Sequence, residues 1–225
     1  MREEKSRNLW GSVLAASLLI AANSQAAPKP NPAQAQRDPG LYMTFQTDKG
    51  DIACKLYEKE APNTVRTMVG LAIGKISYVD PQTGQTTKKK FFDGLTFHRV
   101  IPGFMIQGGD PLGTGTGSPG GPGFPYKNET SPALKFDVPG RLAMANAGPD
   151  TNGSQFFITE GPTPSLNGGY SLWGQCDNVD VVKAIARVPR DANDKPNTPV
   201  HIKHVIVERV GPAPANAPEA MTASK

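Results

Sequence analysis

Phe97-His98-Arg99-Val100-Ile101-Pro102-Gly103-Phe104-Met105-Ile106-Gln107-Gly108-Gly109-Asp110 is the run from which the rest of this chain is read. It holds a fixed positive charge, two bulky apolar side chains and an amide within a short span. Arg99 stays protonated at any ordinary pH, so it donates hydrogen bonds and cannot act as a base. Phe104 and Met105 are suited to wall an apolar pocket, and Gln107 to grip a peptide backbone. Pro102-Gly103 is a turn signal, so the run reads as strand, turn, strand. That path can fold Arg99 back over the hollow that Phe104 and Met105 line. A buried hairpin with a surface arginine is the plainer alternative.

A second run repeats the logic: Leu142-Ala143-Met144-Ala145-Asn146-Ala147-Gly148-Pro149-Asp150-Thr151-Asn152-Gly153-Ser154-Gln155-Phe156-Phe157-Ile158. A strand ends in small residues and Asn146, a Gly/Asn loop follows, and an apolar strand carries Gln155 and Phe157. Together the two runs resemble the cyclophilin family of peptidyl-prolyl isomerases, from about Leu41 to Gly211. The resemblance implies a mostly β fold, a closed eight-stranded antiparallel β-barrel with two α-helices at its open ends. It implies Arg99 as the catalytic residue. Phe104, Met105, Phe157 and Leu166 would form a proline pocket. Gln107 and Asn146, helped by Ala145, Ala147 and Gln155, would hold the substrate backbone, with His98 and Tyr170 at the border of the groove. Two positions depart from the best-known eukaryotic members: Ser165 stands where they carry a tryptophan, and Tyr170 where they carry a histidine. The missing indole predicts weak cyclosporin binding with isomerase activity retained. A cyclophilin-shaped chaperone or adhesin that holds proline peptides without turnover is the rival reading.

The remainder of the chain sets bounds. Its 225 residues fit one domain plus extensions, and 24 Gly with 22 Pro suit a loop-rich β protein. Residues 1–26 read as a signal peptide: Arg2, Lys5 and Arg7 precede the apolar run Leu9 to Ala22, and Ser24-Gln25-Ala26 offers small residues for cleavage after Ala26. No cysteine lies there to take a lipid. The mature chain is expected in the periplasm or outside the cell, with no stable membrane insertion. Residues 27–39 read as a Pro-rich tether, 40–211 as the isomerase domain and 212–225 as a disordered tail.

Within the domain, strands are predicted over Leu41–Thr47 and Asp51–Tyr57, joined across Asp48-Lys49-Gly50. A helix follows, with Pro62 in its first turn, Glu60 near its positive end and Gly74 at its stop. Its inner stripe is Val65, Met68, Val69, Ala72 and Ile73. A second helix is predicted over Val179–Arg187, capped by Asp177 or Asn178. Strands are also predicted over Arg141–Ala145, Ser171–Cys176 and His201–Val210. Gly74 to Lys90 reads as a polar surface loop or a small hairpin, longer than in compact cyclophilins.

Several chemistries are argued against. The net charge of +4 and a single Lys88-Lys89-Lys90 run do not make a basic face with interleaved aromatics, so no nucleic-acid partner is expected. The glycine-rich stretch Gly108 to Gly121 lacks the lysine of a phosphate loop, and its prolines deny a helix. His98 has no Ser or Cys neighbour to activate, and Gly153-Ser154-Gln155 is no nucleophile elbow. His201 and His204 lack a third ligand, so neither metal nor cofactor is expected. Proline-containing polypeptides are the expected partners, and a monomer the expected state. Cys54 and Cys176 are the two cysteines; export permits a bridge, but the sequence reading favours two separate buried thiols.

Overall fold

The computed structural model describes residues 37–213; the expected signal peptide, most of the expected tether and all but Pro212 and Ala213 of the expected tail fall outside the described residues. In chain order the elements are β1 (Gly40–Thr47), β2 (Gly50–Leu56), α1 (Pro62–Ala72), β3 (Tyr78–Val79), β4 (Thr86–Thr87), β5 (Arg99–Ile101), β6 (Met105–Gly108), β7 (Arg141–Met144), β8 (Phe156–Thr159), a 3₁₀ turn (Pro164–Leu166), β9 (Leu172–Cys176), α2 (Val179–Ala186) and β10 (Ile202–Val210).

Eight strands make one antiparallel sheet in the order β10-β1-β2-β9-β7-β8-β6-β5, while β3 and β4 pair alone. The expected closure of a barrel is not seen. No ladder joins the end strands β10 and β5; the sheet curls into a half-barrel. Loop backbone spans part of the gap instead, through a bridge of Thr96 with His201, Phe97 N–H to Val200 O at 3.0 Å and Ile202 N–H to Leu95 O at 2.7 Å. Val100, Ile106, Ile158 and Leu142 lie on the inner face with no exposed surface, against Phe45, Phe156, Trp173 and both helices.

Local signals explain the elements. Gly103 takes φ of +77° in the β5–β6 turn, a conformation that costs a residue with a Cβ. α1 buries Val65, Met68, Val69 and Ala72 as its spacing requires, while Ile73 is only half-buried. The charge at its N-terminus is supplied from elsewhere than expected. Glu129, on a distant loop, accepts from the N–H groups of Asn63 (3.0 Å) and Thr64 (2.7 Å), doing the work assigned to Glu60. Asn178 precedes α2 in the left-handed region, φ 56°, but makes no capping bond; its amide donates to Asp51 O at 3.1 Å. The histidines of the last segment pair with carboxylates, His201 with Asp48 and His204 with Asp93, each at 3.0 Å.

The expectation of two separate thiols is overturned: Cys54 and Cys176 form a disulfide, with Cα atoms 3.8 Å apart. The reason is long-range. β9 returns beside β2 in a register that sets Cys54 opposite Cys176, across a sequence separation of 122. A link closing so long a loop removes much of the unfolded chain's freedom, worth about 2–4 kcal/mol in typical cases. Reduction, or the double variant Cys54→Ala/Cys176→Ala, is expected to lower Tm by about 5–15 °C. Identical melting of the oxidised and reduced chain in calorimetry would contradict the bridge's contribution.

Candidate active site

Strand alternation builds the site. Side chains two apart share a face, and directly paired residues on neighbouring antiparallel strands lie side by side. Arg99 on β5 pairs with Gln107 on β6, Gln107 with Phe157 on β8, and Phe157 with Ala143 on β7. This row lies on the outer face, opposite the inner row Val100, Ile106, Ile158 and Leu142. One row along, Ile101 pairs with Met105. A second apolar cluster forms there, of Met105, Phe136, Ala143, Phe157 and Leu172 with Phe104, Ala145, Leu166 and Tyr170 packed against it. The site therefore rests on its own small core, separate from the inner one.

Two hollows open on this face. The first, about 210 Å³, is lined by Arg99, Phe104, Met105, Gln107, Ala145, Asn146, Phe157, Leu166 and Tyr170. Phe157 forms its floor, stacked on Phe136 (centroids 5.9 Å apart, planes at 15°) and met edge-on by Tyr170 at 5.5 Å. The second, about 380 Å³, shares Gln107, Ala145 and Asn146 with the first and adds Ala147, Thr151, Gln155 and the glycine-rich loop at Gly115, Thr116, Gly117 and Ser118. Of the residues expected to bind substrate, all but His98 line one hollow or the other. His98 is 6% exposed and lines neither hollow. Its ring lies behind the wall, with the Gly115 Cβ position 3.9 Å from Cδ2. Burial chiefly, aided by Lys195 and Arg99 and opposed by Asp110, lowers its pKa and leaves it neutral at pH 7.

Polar side chains hold the walls. Gln107 Nε2 donates to Gln155 Oε1 at 2.9 Å, and Gln155 Nε2 donates to the carbonyls of Gly115 (3.0 Å) and Gly117 (2.8 Å). Asn146 Nδ2 donates to Gly169 O, and its Oδ1 accepts from Gly148 N–H. The Ala147 N–H is taken by Thr151 Oγ1. Ser165 is exposed and lines neither hollow.

Four contributors escaped the sequence reading. Asp194 places Oδ2 3.8 Å from Arg99 Nε while its Oδ1 accepts from Arg190 Nε at 3.1 Å; its backbone carbonyl accepts from Val100 N–H at 2.8 Å. Phe136 supports Phe157 and is pinned by Asn167 Oδ1 accepting from its N–H at 2.8 Å. Glu160, buried, accepts from Gly103 N–H at 2.9 Å and Arg187 Nη2 at 2.6 Å, fixing the turn that presents Phe104. Burial would raise its carboxyl, but these donors outweigh it and hold the pKa below the ordinary glutamate value. No local pattern marks any of these, since each partner is distant in sequence or lies in a loop.

Asp110 is the fourth. It is 1% exposed and accepts from the N–H groups of Leu112 (2.7 Å), Thr114 (3.0 Å) and Gly115 (2.5 Å). Gly117 has no alternative here: a Cβ would sit 1.9 Å from Asp110 Oδ1. Burial opposes the Asp110 charge, yet the converging N–H groups lower its pKa. With the folded pKa below the unfolded one, its contribution is present above the ordinary aspartate range and lost as pH falls through the folded value. Asp110→Asn is expected to cost about 1–3 kcal/mol at pH 7, measured by urea unfolding, with the gap narrowing towards about pH 3. Equal stability at pH 7 would remove Asp110 from this role.

Comparison with known proteins agrees with this geometry. The sequence model for "Cyclophilin type peptidyl-prolyl cis-trans isomerase/CLD" matches residues 42–207. Peptidyl-prolyl cis-trans isomerase B of Streptomyces anulatus is 49% identical over 172 residues, covering 75% of this chain and 97% of the relative. Peptidyl-prolyl cis-trans isomerase A of Mycobacterium tuberculosis is 48% identical over 167 residues, covering 73% of this chain and 90% of the relative. A crystal structure of a Cryptosporidium parvum cyclophilin-type isomerase superposes with a TM-score of 0.65 at 32% identity, covering 76% of this chain and 99% of its own. The same parasite protein in the presence of the dipeptide Ala-Pro gives 0.64. With its fold, its outer-face hollow and its sequence all in accord, this chain belongs to the cyclophilin-type peptidyl-prolyl cis-trans isomerases.

Proposed function

We propose that the first hollow receives the proline ring of an X-Pro segment and that Arg99 drives rotation of the bond before it. The carrying observation is the row Arg99–Gln107–Phe157, which sets a fixed cation and an amide beside an aromatic floor. The amide barrier is about 18–20 kcal/mol, and uncatalysed isomerisation takes on the order of tens to hundreds of seconds. No bond is made or cut, so catalysis consists of binding the twisted amide better than either planar form. In the twisted state the proline nitrogen regains its lone pair and becomes an acceptor. Arg99 is the donor to that nitrogen or to the adjacent carbonyl. The ring stays seated against Phe104, Met105, Phe157 and Leu166 while Gln107 and Asn146 hold the backbone beside it.

Magnitudes divide the labour. An acceleration of about 10⁵-fold needs about 7 kcal/mol of preferential stabilisation. One charge-assisted hydrogen bond supplies about 1.5–3 kcal/mol. The remainder falls to orientation of the ring and to a preorganised, partly dry site. The second hollow, continuous with the first through Gln107, Ala145 and Asn146, takes the side chain of a residue flanking the proline. In the cell, the signal-like residues 1–26 support export, and the activity then assists folding of exported proteins. Recovery of the chain from the cell envelope or medium with Ala27 at its N-terminus tests that assignment; an unprocessed cytoplasmic chain opposes it.

Arg99→Ala is expected to lower kcat/KM by about 10- to 150-fold in a protease-coupled isomerisation assay, with melting unchanged. If the unaltered chain is no faster than the variant, the non-catalytic peptide-binding reading takes its place. Cyclosporin is expected to inhibit only at micromolar concentration or above, because Ser165, which lines neither hollow, replaces an indole and so removes its apolar area and its N–H donor from the rim. Nanomolar inhibition would overturn that.

A further inference from the structure

The segment between α1 and β5 carries a hairpin that the mechanism above does not use. β3 and β4 pair as Tyr78 with Thr87 and Val79 with Thr86. Its base is tied to the core: Tyr78, 3% exposed, meets Phe91 edge-on at 4.9 Å, and Phe91 N–H donates to Leu71 O at 3.0 Å. Its turn is ordered by Asp80, whose Oδ1 accepts from Gln82 N–H at 2.9 Å and whose backbone carbonyl accepts from Gly84 N–H at 2.7 Å. The hairpin is thus a built element and not a slack loop.

Its free edge meets the glycine-rich loop at both ends. Val79 and Gly120 exchange two backbone hydrogen bonds, 2.9 and 3.0 Å, so the loop's far end forms a third strand position beside β3. The Val79 side chain lies 3.3–3.4 Å from the Cβ positions of Gly120 and Gly121, so hairpin and loop are in close packing contact there. At the near end, Gln82 Nε2 donates to Pro111 O at 2.7 Å. Between these anchors lie Gly115, Thr116, Gly117 and Ser118, the outer wall of the second hollow. That wall is gripped from inside by Asp110 and Gln155 and from outside by the hairpin.

We infer that the hairpin is a specificity element: by fixing Pro111 and Gly120 it sets the position of the glycine-rich wall, and with it which residue flanking the proline the second hollow admits. This rests on the isomerase reading of the first hollow and adds a selectivity to it. Val79 and Gln82 are positioning residues; neither lines a hollow. A wall rich in glycine has little stiffness of its own, so it depends on outside contacts to hold one shape. The reacting bond lies at Arg99, in the first hollow, so loosening the wall alters binding of the flanking residue more than the rotation step.

The test uses the full chain with Gln82→Ala, Val79→Gly, and a variant in which residues 81–84 are replaced by an Asn-Gly turn. Peptides carry one X-Pro bond, with each residue within two positions of the proline varied through glycine, leucine and phenylalanine. Isomerisation is read by NMR exchange and affinity by titration. At one flanking position the kcat/KM ratio between large and small residues is expected to change at least threefold, through KM. The kcat on glycine-flanked peptides should stay within twofold. Unchanged ratios in all three variants overturn the inference, as does an equal fall of kcat across the panel. If the shortened turn fails to fold, the two point variants decide the matter. Inactivity of the unaltered chain on every peptide would instead overturn the isomerase reading, and the titrations would still report whether the hairpin sets selectivity of binding.

Discussion

The register of the β5–β6–β8–β7 ladder is the constraint on which the rest depends. In a strand the side-chain period is two, so a single register divides every residue between two faces, and a slip of one would exchange them. Here Val100, Ile106, Ile158 and Leu142 go inward, and Arg99, Gln107, Phe157 and Ala143 go outward. Burial of the first set fixes the position of the second. The hydrophobic core thus aims the arginine without touching it, and the outer face is free to carry polar chemistry at little cost to the fold.

The outer face still needs shape, and loops supply it. A loop next to a binding surface has backbone groups that water would otherwise satisfy, so its conformation is set by whichever side chains accept its N–H groups. Asp110 does this for the glycine-rich wall, Glu160 for the Pro102-Gly103 turn and Glu129 for the start of α1. Each is a carboxylate meeting backbone donors, an arrangement stronger than neutral pairing. Gln155 links two such regions, holding the wall through Gly115 and Gly117 and meeting Gln107 in the proline-side hollow. The walls of the two hollows are coupled by one amide.

Much of this was legible in the chain. The hairpin of β1 and β2, the first helix with Pro62 at its start, the strand-turn-strand at Pro102-Gly103 and the stretch to β10 all follow from period and turn chemistry. So did the membership of Arg99, Phe104, Met105, Gln107, Phe157, Leu166 and Tyr170 in one hollow, through resemblance to a family. His98, which the resemblance set at the border of the groove, lies buried behind the Gly115 wall and lines neither hollow, a depth set by the distant glycine-rich loop that covers it.

By itself, then, the sequence determined what local rules govern: where strands and helices form, which turns need glycine, and which family the chain resembles. Tertiary structure alone decided what depends on distant segments meeting. It set Cys54 against Cys176, left β10 and β5 unjoined, brought Glu129 to α1 and Asp194 to Arg99, and docked the β3–β4 hairpin on the glycine-rich wall. The physical reason is that periodicity records only which side of its own element a residue faces. Which element arrives opposite is settled by chain return over tens to more than a hundred residues, and no local pattern carries that information.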